Sequence, residues 1–340
     1  MQVINFWDTS SLPKTFCSIY HISEAQLCSV LKKAVSFSTS GIHIADNAVS
    51  VFLDESGIHP DTFQLLDVCI RCKVISSTLD DGKSILEKGL LPLTQLLMHH
   101  SPLCAFLMEH RFVIDIPRKR WKYKNKWHLF PEYCHDELGN SMYCCKRCFF
   151  EYSSCPYDNP HADMFCDYLK EIKPLMSKLF VDNGEIEAFI FGHKSELLDY
   201  STVKDYPEII YTIDELIKEL FGESVALGSD WASRSTGFEC VCFDTKISDF
   251  SYIGGMDSSK DFYSQYEHFC EDSYDYEDVP LLLAQNIWLI NNCLHSIISD
   301  YPYSEIYVGI KNSKHISPNE IHLLHNKLFD TSEEEFDEMS

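Results

Sequence analysis

The sequence lacks a continuous apolar run of eighteen residues, which is about the length that a helix needs to cross a bilayer. The initial segment, MQVINFWDTSSLPK, lacks the basic start and apolar stretch of a secretory signal. Basic residues are also scarce, because 28 Lys and Arg stand against 52 Asp and Glu and give a formal net charge of −24. These absences predict a cytoplasmic protein without a membrane span. They argue against a surface broadly wrapped by nucleic acid, because a strongly negative field repels phosphates.

Several catalytic signatures are also missing from the chain. There is no GxxxxGK[ST] loop, no HExxH helix and no GxSxG turn, so P-loop, zincin and serine-hydrolase chemistry is not indicated. The composition is that of a globular protein, with 45% hydrophobic and 13% aromatic residues. A chain of 340 residues can form one large domain or two modest ones, with enough residues for a substantial core.

Regular elements are predicted at intervals along the chain and favour the α+β class, because helices and strands are mixed without a repeating order. Helical patterns occupy residues 23–34, 93–109, 164–179, 207–222 and 279–299. Short apolar runs that are typical of strands occupy residues 73–78, 112–117, 187–192, 237–244 and 305–310. Ser23 is the expected N-cap of the first helix, and Pro207 and Gly222 are expected to bound the fourth.

Five of the fifteen cysteines fall between Cys134 and Cys155. Cys145 and Cys148 have the CxxC spacing that lets two thiolates bind one zinc ion. Further ligands available nearby are Cys134, Cys144, Cys155, His135 and His161. A structural zinc site, a redox pair and ordinary reduced cysteines all stay open, and the last is favoured because only one CxxC is present. No residue is assigned as a metal ligand.

Charge is concentrated in three segments. Residues 330–340, DTSEEEFDEMS, hold six acidic residues and no basic one, and residues 271–278, EDSYDYED, are also acidic. Both are interpreted either as solvated segments or as docking segments for a basic partner. Positive charge is concentrated in residues 118–128, RKRWKYKNKWH, where six Lys or Arg are interleaved with aromatic residues.

This basic segment allows two interpretations. Because Lys and Arg bind phosphates and flat aromatic rings stack on bases, the segment is a candidate nucleic-acid patch. The same alternation is expected of a two-stranded surface ribbon with aromatic residues on one face and lysines on the other. The residues assigned to the candidate patch are Arg118, Lys119, Arg120, Trp121, Lys122, Lys124 and Lys126.

Two separated segments resemble the ADP-ribosyltransferase superfamily, in its toxin-like and nucleic-acid-modifying branches. The first is the strand KVISST at residues 73–78 with the helix and GLLPL sequence that follow it, and the second is YSEIYVGIKNSKHISPNEI at residues 303–321. In that family a strand with His, Arg or Thr near its end leads to a helix that closes in "I…GL". A late strand begins with the catalytic glutamate, and an "I.P..I" element such as ISPNEI often follows it.

The resemblance implies a split β-sheet core with surrounding helices and a cysteine-rich insertion, and it implies NAD as substrate. It assigns Glu305 as the catalytic carboxylate, which would stabilise the cation that develops as the nicotinamide–ribose bond breaks. Ser76, Ser77 and Thr78 would contact NAD where the family usually carries His or Arg, and Tyr200 would stack on nicotinamide. The alternative for Glu305 is a surface glutamate on an edge strand.

The expected organisation is a helical extension over residues 1–66, a transferase-like domain over 67–328 with an insertion near 117–163, and an acidic tail over 329–340. The resemblance implies a toxin or phage-defence effector that transfers ADP-ribose from NAD to a macromolecule such as RNA or DNA. Such an effector would also have a neutralising antitoxin partner. A non-catalytic acidic adaptor protein, with or without structural zinc, is the alternative.

Overall fold

The computed structural model divides into two compact units, each built from segments that are distant in the sequence. The first unit comprises Met1–Val74, Glu187–Tyr200 and Cys240–Leu324, and the second comprises Ile75–Ile186, Ser201–Glu239 and His325–Ser340. The structure describes residues 2–38, 41–44, 47–79, 89–98, 101–130, 132–135, 141–144, 168, 171–181, 186–190, 205–264, 279–298, 306–311 and 315–328. The division differs from the predicted one, in which the N-terminal residues stood apart from a single large domain.

The described helices are mostly short. In chain order they are α1 (Leu12–Ile19), α2 (Glu24–Ala34), α3 (Ala48–Ser56), α4 (Leu93–Met98), α5 (Pro102–Glu109), α6 (Glu208–Phe221), α7 (Leu227–Arg234), α8 (Ser259–Ser264) and α9 (Leu281–Ile298). Residues 171–176 are also helical, within the range predicted for a helix. The predictions of α2, α6 and α9 are confirmed to within two residues at each end.

The described strands vary more in length. In chain order they are β1 (Val3–Ile4), β2 (Val35–Ser38), β3 (Gly41–Ile44), β4 (Cys69–Leu79), β5 (Phe112–Asp115), β6 (Arg120–Tyr123), β7 (Lys126–Leu129), β8 (Glu132–His135), β9 (Ser141–Cys144), β10 (Ile186–Phe189), β11 (Ser235–Lys246), β12 (Phe250–Ile253), β13 (Tyr307–Ile310) and β14 (Ile321–Leu328). All five predicted strands are therefore confirmed as strands, with different ends.

Seven strands form the largest sheet, in the order β12-β13-β10-β4-β11-β14, with β1 pairing to β4. Pairing is antiparallel where β10 meets β4, with Phe189 opposite Lys73, and where β12 meets β13; β1 runs parallel to β4. Smaller antiparallel sheets are β2–β3, β5–β6–β7 and β8–β9. Helices mixed with largely antiparallel sheets agree with the predicted α+β class at this coarse level.

The N-terminal residues belong to the core of the first unit. The predicted N-cap is confirmed, because Ser23 Oγ accepts a hydrogen bond from the Gln26 backbone N–H and Gln26 Oε1 accepts one from the Ser23 N–H. The buried rings of Phe16, Tyr20 and Phe52 pack on one another, with 4.7–5.7 Å between ring centroids. Helix α9 packs against α1, α3 and β3. Because these residues bury their apolar surface within the first unit, they do not form a separate extension.

Helix α9 has the length and mean hydropathy of a membrane span, and 67% of it is buried inside the protein. Its polar residues make bonds that suit a protein interior. Asn286 Nδ2 donates to the carbonyls of Phe63 at 3.3 Å and Leu66 at 2.8 Å, and Asn292 Nδ2 donates to the Trp288 carbonyl at 2.7 Å. A mostly buried helix of this kind is weak evidence for a span, since core helices share its length and composition.

The second unit has its own hydrophobic core, which α5, α6, α7 and the β5–β7 sheet enclose. Helix α6 buries an apolar stripe and ends, as predicted, where Gly222 takes the left-handed conformation with φ of 65°. The buried residues of this core include Leu103, Phe106, Phe112, Trp121, Tyr123, Phe130, Ile210, Ile213, Leu216, Ile217 and Trp231. Residues 118–130 thus contribute to the core, whereas the sequence predicted an insertion from residue 117 onward.

The single helix predicted over residues 93–109 is wrong, because two helices, α4 and α5, occupy this range. Ser101 Oγ accepts a hydrogen bond from the Cys104 N–H at 3.0 Å and donates one to the Leu96 carbonyl at 2.6 Å. Pro102 follows as the first residue of α5. Since proline has no N–H and its ring clashes with the preceding turn, a helix cannot continue through it without a break.

Candidate nucleic-acid interface

The basic segment folds as part of the three-stranded sheet β5–β6–β7. We call residues 118–129 the cationic hairpin. Lys119 and Lys124 have φ of 47° and 51°, which places them in the left-handed region at the turns before and after β6. Side chains alternate between two sides along each strand, so the hairpin has an inner side and an outward side. The predicted ribbon is confirmed as strands, three in place of two. The predicted separation of aromatic residues from lysines is wrong, because Trp127 lies opposite Lys122 and Lys126 lies opposite Tyr123.

The inner side places Trp121 in the hydrophobic core. Trp121 is 0% exposed and its ring stacks on Phe112 at 5.4 Å and on His128 at 4.4 Å, measured between ring centroids. Its Nε1 donates a hydrogen bond to Tyr168 Oη at 3.2 Å. The assignment of Trp121 to the candidate patch is wrong, because a ring enclosed in this way offers no face to a base.

The outward side carries a different tryptophan. Lys122 lies opposite Trp127, and Arg120 lies opposite Leu129. Trp127 is 42% exposed and Leu129 is 53% exposed. The Arg120 guanidinium lies 4.0 Å from the centroid of the Trp127 ring, and Lys122 Nζ lies 5.8 Å from it. The outward side therefore combines an accessible aromatic ring with two cations held close to it.

Asp115 on β5 fixes the orientation of the arginines. Arg120 Nε donates a hydrogen bond to Asp115 Oδ2 at 2.8 Å, and Arg118 Nη1 donates to the same oxygen at 3.3 Å. Both bonds lower the pKa of Asp115 below its usual value, and the bond from Arg120 has the larger effect. The carboxylate is thus ionised at neutral pH, and it holds the Arg120 guanidinium beside the Trp127 ring.

Glu223, which follows α6, engages the turn of the hairpin. Lys124 Nζ donates to both carboxylate oxygens of Glu223, at 2.6 and 2.7 Å, and Tyr123 Oη donates to Oε2 at 2.8 Å. Burial, with the hydrogen bond and charge of Glu223, raises the pKa of Tyr123 to about 12. Lys124 is therefore committed to a contact within the protein.

Three lysines of the hairpin form no ion pair with the residues that the structure describes: Lys119, Lys122 and Lys126. Lys119 and Lys126 are exposed, and Lys122 is partly exposed. Among the described residues, the six cations of the hairpin meet only two carboxylates, those of Asp115 and Glu223. This surplus makes the hairpin locally positive in a chain whose net charge is −24.

The residues assigned to NAD chemistry lie mostly outside the described residues. Glu305 and Tyr200 are both outside them. Ser76, Ser77 and Thr78 lie on β4, which confirms the predicted strand, although their side chains are outside the described set. These three belong to the second unit, whereas β13 belongs to the first. No contact among the five residues is described, and their assignment stays a prediction.

The strand that comes directly after Glu305 is an internal one. In the seven-stranded sheet β13 lies between β12 and β10. Gly254 N donates to the Tyr307 carbonyl at 2.7 Å, and Ile190 N donates to the Ile306 carbonyl at 3.1 Å. The glutamate therefore precedes a strand with neighbours on both sides, and the alternative setting on an edge strand is wrong for β13.

Among the residues that the structure describes, eight cysteines are free thiols, and six of these are buried. Burial raises the pKa of Cys72 and Cys293 well above the usual value, and that of Cys240 to about 11. Thiols held protonated in this way pack as small apolar groups, as expected of ordinary reduced cysteines. Within the described residues no three His, Cys, Asp or Glu side chains converge on a metal-sized site. The CxxC pair lies outside those residues, so zinc binding stays untested.

Sequence reasoning missed two components of this surface. Trp127 could have been placed, because a two-residue turn at Lys124 and Asn125 makes Lys122 face Trp127 across the hairpin. No local signal could have identified Glu223, since it lies about a hundred residues away in the sequence.

Comparison with protein-family models, curated proteins and solved structures gives no match.

Proposed function

We propose that this protein binds single-stranded nucleic acid on the outward side of the cationic hairpin. The observation that carries the proposal is the exposed Trp127 ring with Arg120 and Lys122 beside it. Lys119, at the turn before β6, and Lys126, opposite Tyr123 at the start of β7, add two exposed cations to the hairpin that form no ion pair with the described residues. Together they supply the flat ring and the free positive charges that a single strand requires.

A single strand suits this surface better than a duplex does. Unpaired bases expose their flat faces, and stacking on an aromatic ring contributes about 1–3 kcal/mol per base. The lysines contribute contacts to phosphates, and these weaken steeply with salt because the counterions of the strand are released on binding. Because the chain as a whole is acidic, we expect the contact to be confined to the hairpin.

An acidic peptide is the competing ligand class. It would also pair with the lysines, but it has no flat base to stack on Trp127. Replacing Trp127 by Leu keeps an apolar side chain and removes the ring. If the natural ligand is nucleic acid, its binding should fall strongly in this variant, because a base loses the ring on which it stacks. If the natural ligand is an acidic peptide, its binding should stay unchanged.

Removal of the unpaired lysines tests the proposal directly. Fluorescence anisotropy with a labelled oligothymidylate gives the Kd as a function of salt. In K119A/K122A/K126A we expect the slope of log Kd against log salt to fall by about 2, because each lost phosphate contact removes about 0.7. At 0.1 M salt this corresponds to binding that is about 100-fold weaker.

The matched control removes the same charge elsewhere. Lys14, Lys32 and Lys173 are exposed and form no ion pair with the described residues, so K14A/K32A/K173A makes the chain equally more negative. We expect the control to change the Kd less than threefold. If both triple variants weaken binding equally, the oligonucleotide responds to net charge alone and the proposed face is not its site.

A second candidate function is transfer of ADP-ribose from NAD to the bound nucleic acid, with Glu305 as the catalytic carboxylate. Strand β13 favours it, because an internal strand with hydrogen bonds on both sides would give a glutamate just before it a rigid setting. ISPNEI also has a capping box, in which Glu320 Oε2 accepts hydrogen bonds from Ser317 N at 2.9 Å and Ser317 Oγ at 2.7 Å.

Glu305→Gln tests this candidate with NAD that carries a label in its ADP-ribose part and an oligonucleotide acceptor. We expect transfer to fall about 100-fold or more, because the carboxylate that stabilises the developing cation is lost. The free energy of unfolding and the oligonucleotide Kd are expected to stay unchanged. A wild-type protein that binds the oligonucleotide and consumes no NAD supports the non-catalytic adaptor alternative.

A further inference from the structure

The acidic C-terminal segment follows a strand of the same unit that carries the cationic hairpin. Strand β14 ends at Leu328, and its residues 325–328 belong to the second unit. Residues 330–340 come next, with six carboxylates, no cation, and the apolar residues Phe336 and Met339. In composition the segment is the complement of the cationic hairpin, which carries three lysines without ion pairs to the described residues together with exposed apolar side chains.

We propose that residues 330–340 dock on the cationic hairpin of the same chain, around Trp127 and the three lysines without ion pairs, and compete there with nucleic acid. Their carboxylates pair with Lys119, Lys122 and Lys126, and Phe336 packs on the exposed apolar surface of Trp127. The proposal names the regulation of that binding face and therefore rests on the proposed function.

The length of the segment allows this contact. The eleven residues of the segment extend to at most about 37 Å. A compact unit of about 170 residues has a radius of gyration of only about 15 Å, so the segment can reach most of the surface of its own unit. A tether of this length holds the carboxylates at an effective concentration on the order of 1 mM, which is enough to occupy a site of modest affinity.

Competition of this kind has a measurable size. If the tethered segment binds with a dissociation constant on the order of 0.1 mM, it lowers the apparent affinity for nucleic acid about tenfold. Salt weakens the intramolecular contact because the pairing charges are at the protein surface. Neutralising the segment is therefore expected to tighten binding of the oligonucleotide most at low salt.

The experiment uses the full chain with two matched neutral variants. The tail variant is E333Q/E334Q/E335Q/D337N/E338Q, and the control variant is E271Q/D272N/D275N/E277Q/D278N, which removes five charges from the other acidic segment, assigned to the first unit. We expect the tail variant to bind oligothymidylate about tenfold more tightly than wild type at low salt, and the control less than twofold. In the K119A/K122A/K126A background, the same neutralisation of the tail is expected to leave the Kd unchanged.

A second readout does not require nucleic acid. Carbodiimide joins carboxylates to contacting lysines without a spacer, and mass spectrometry then identifies the linked peptides. We expect links from residues 333–338 to Lys119, Lys122 or Lys126 at low salt and their loss at 1 M salt. Mixing isotope-labelled and unlabelled chains is expected to show that the links lie within one chain.

The outcomes separate the two proposals. Equal gains in both neutral variants, an absence of these cross-links, or links only between different chains would each overturn the docking of the tail. If the cross-links form and no variant binds the oligonucleotide, the docking stands and the nucleic-acid function is lost. If wild type binds the oligonucleotide and the cross-links are absent, the function stands and the docking is lost.

Discussion

The two sides of the cationic hairpin use the same residue type in opposite ways. Trp121 is fully buried between Phe112 and His128, while Trp127, on the neighbouring strand, is 42% exposed beside Arg120. Their positions in the sequence look alike, because each indole is flanked by basic residues. The pleat alone separates them, since it turns one ring into the core and the other outward. Composition therefore identified the segment, and strand register determines which ring is available to a ligand.

Arginines in the two units show a similar contrast. Arg71 in the first unit makes a bidentate pair with Asp244, with Nε–Oδ1 at 2.7 Å and Nη2–Oδ2 at 3.0 Å. Arg120 in the second unit meets its carboxylate through Nε and lies over an indole ring. In the first arrangement, two nitrogens of the planar guanidinium pair with the two oxygens of one carboxylate within the sheet. The second keeps a cation close to an exposed ring, where a ligand can meet both.

The largest expected effect comes from removing the buried ring. Trp121→Ala is expected to lower the free energy of unfolding by about 3–5 kcal/mol, because it leaves a cavity where an indole packed. Urea denaturation followed by circular dichroism measures the change. Trp127→Ala is the matched control and is expected to stay within about 0.5 kcal/mol of wild type. Similar losses in the two variants would mean that both rings contribute to the core.

The exposed ring has the next largest effect, and this effect is on binding. Trp127→Ala is expected to weaken oligothymidylate binding about 5- to 150-fold, which corresponds to the loss of about 1–3 kcal/mol of base stacking. The salt slope is expected to change little, because no lysine is removed. Trp127→Phe keeps a flat ring and should recover much of the affinity. An unchanged Kd in Trp127→Ala would remove the ring from the interface.

Local signals were sufficient for several elements. Ser23 predicted the start of α2, and Pro207 with Gly222 predicted both ends of α6, because caps depend on neighbouring residues alone. The helix predicted over residues 93–109 failed because its apolar pattern continues through Pro102, which lacks the N–H that an uninterrupted helix uses. Patterns identify buried faces, and a single backbone group decides whether a helix is continuous.

Features that depend on distant residues were not available from the sequence. The first unit joins residues 1–74 to residues 240–324, and no local pattern signals which strands pair across that distance. Glu223 likewise meets Tyr123 and Lys124 only because α6 and the hairpin pack on one core. The composition shows that the hairpin is positively charged. Which of its cations form no ion pair could be determined only once the structure showed where Asp115 and Glu223 lie.

The smallest expected effect concerns the inner side and pH. Burial lowers the pKa of His128, with a further contribution from Lys126, and His128 Nε2 is buried without a hydrogen-bond partner among the described residues. Because the folded state disfavours the proton, the unfolded state binds more of it once the pH falls through the unfolded value of about 6.5. The stability that His128 contributes while neutral is therefore lost progressively below that pH.

We expect the free energy of unfolding to fall more steeply between pH 8 and pH 5 in wild type than in His128→Gln. His128→Phe, which keeps a ring to stack on Trp121 and cannot titrate, should follow the shallower slope, whereas equal slopes in all three proteins would show that His128 takes up its proton as readily folded as unfolded.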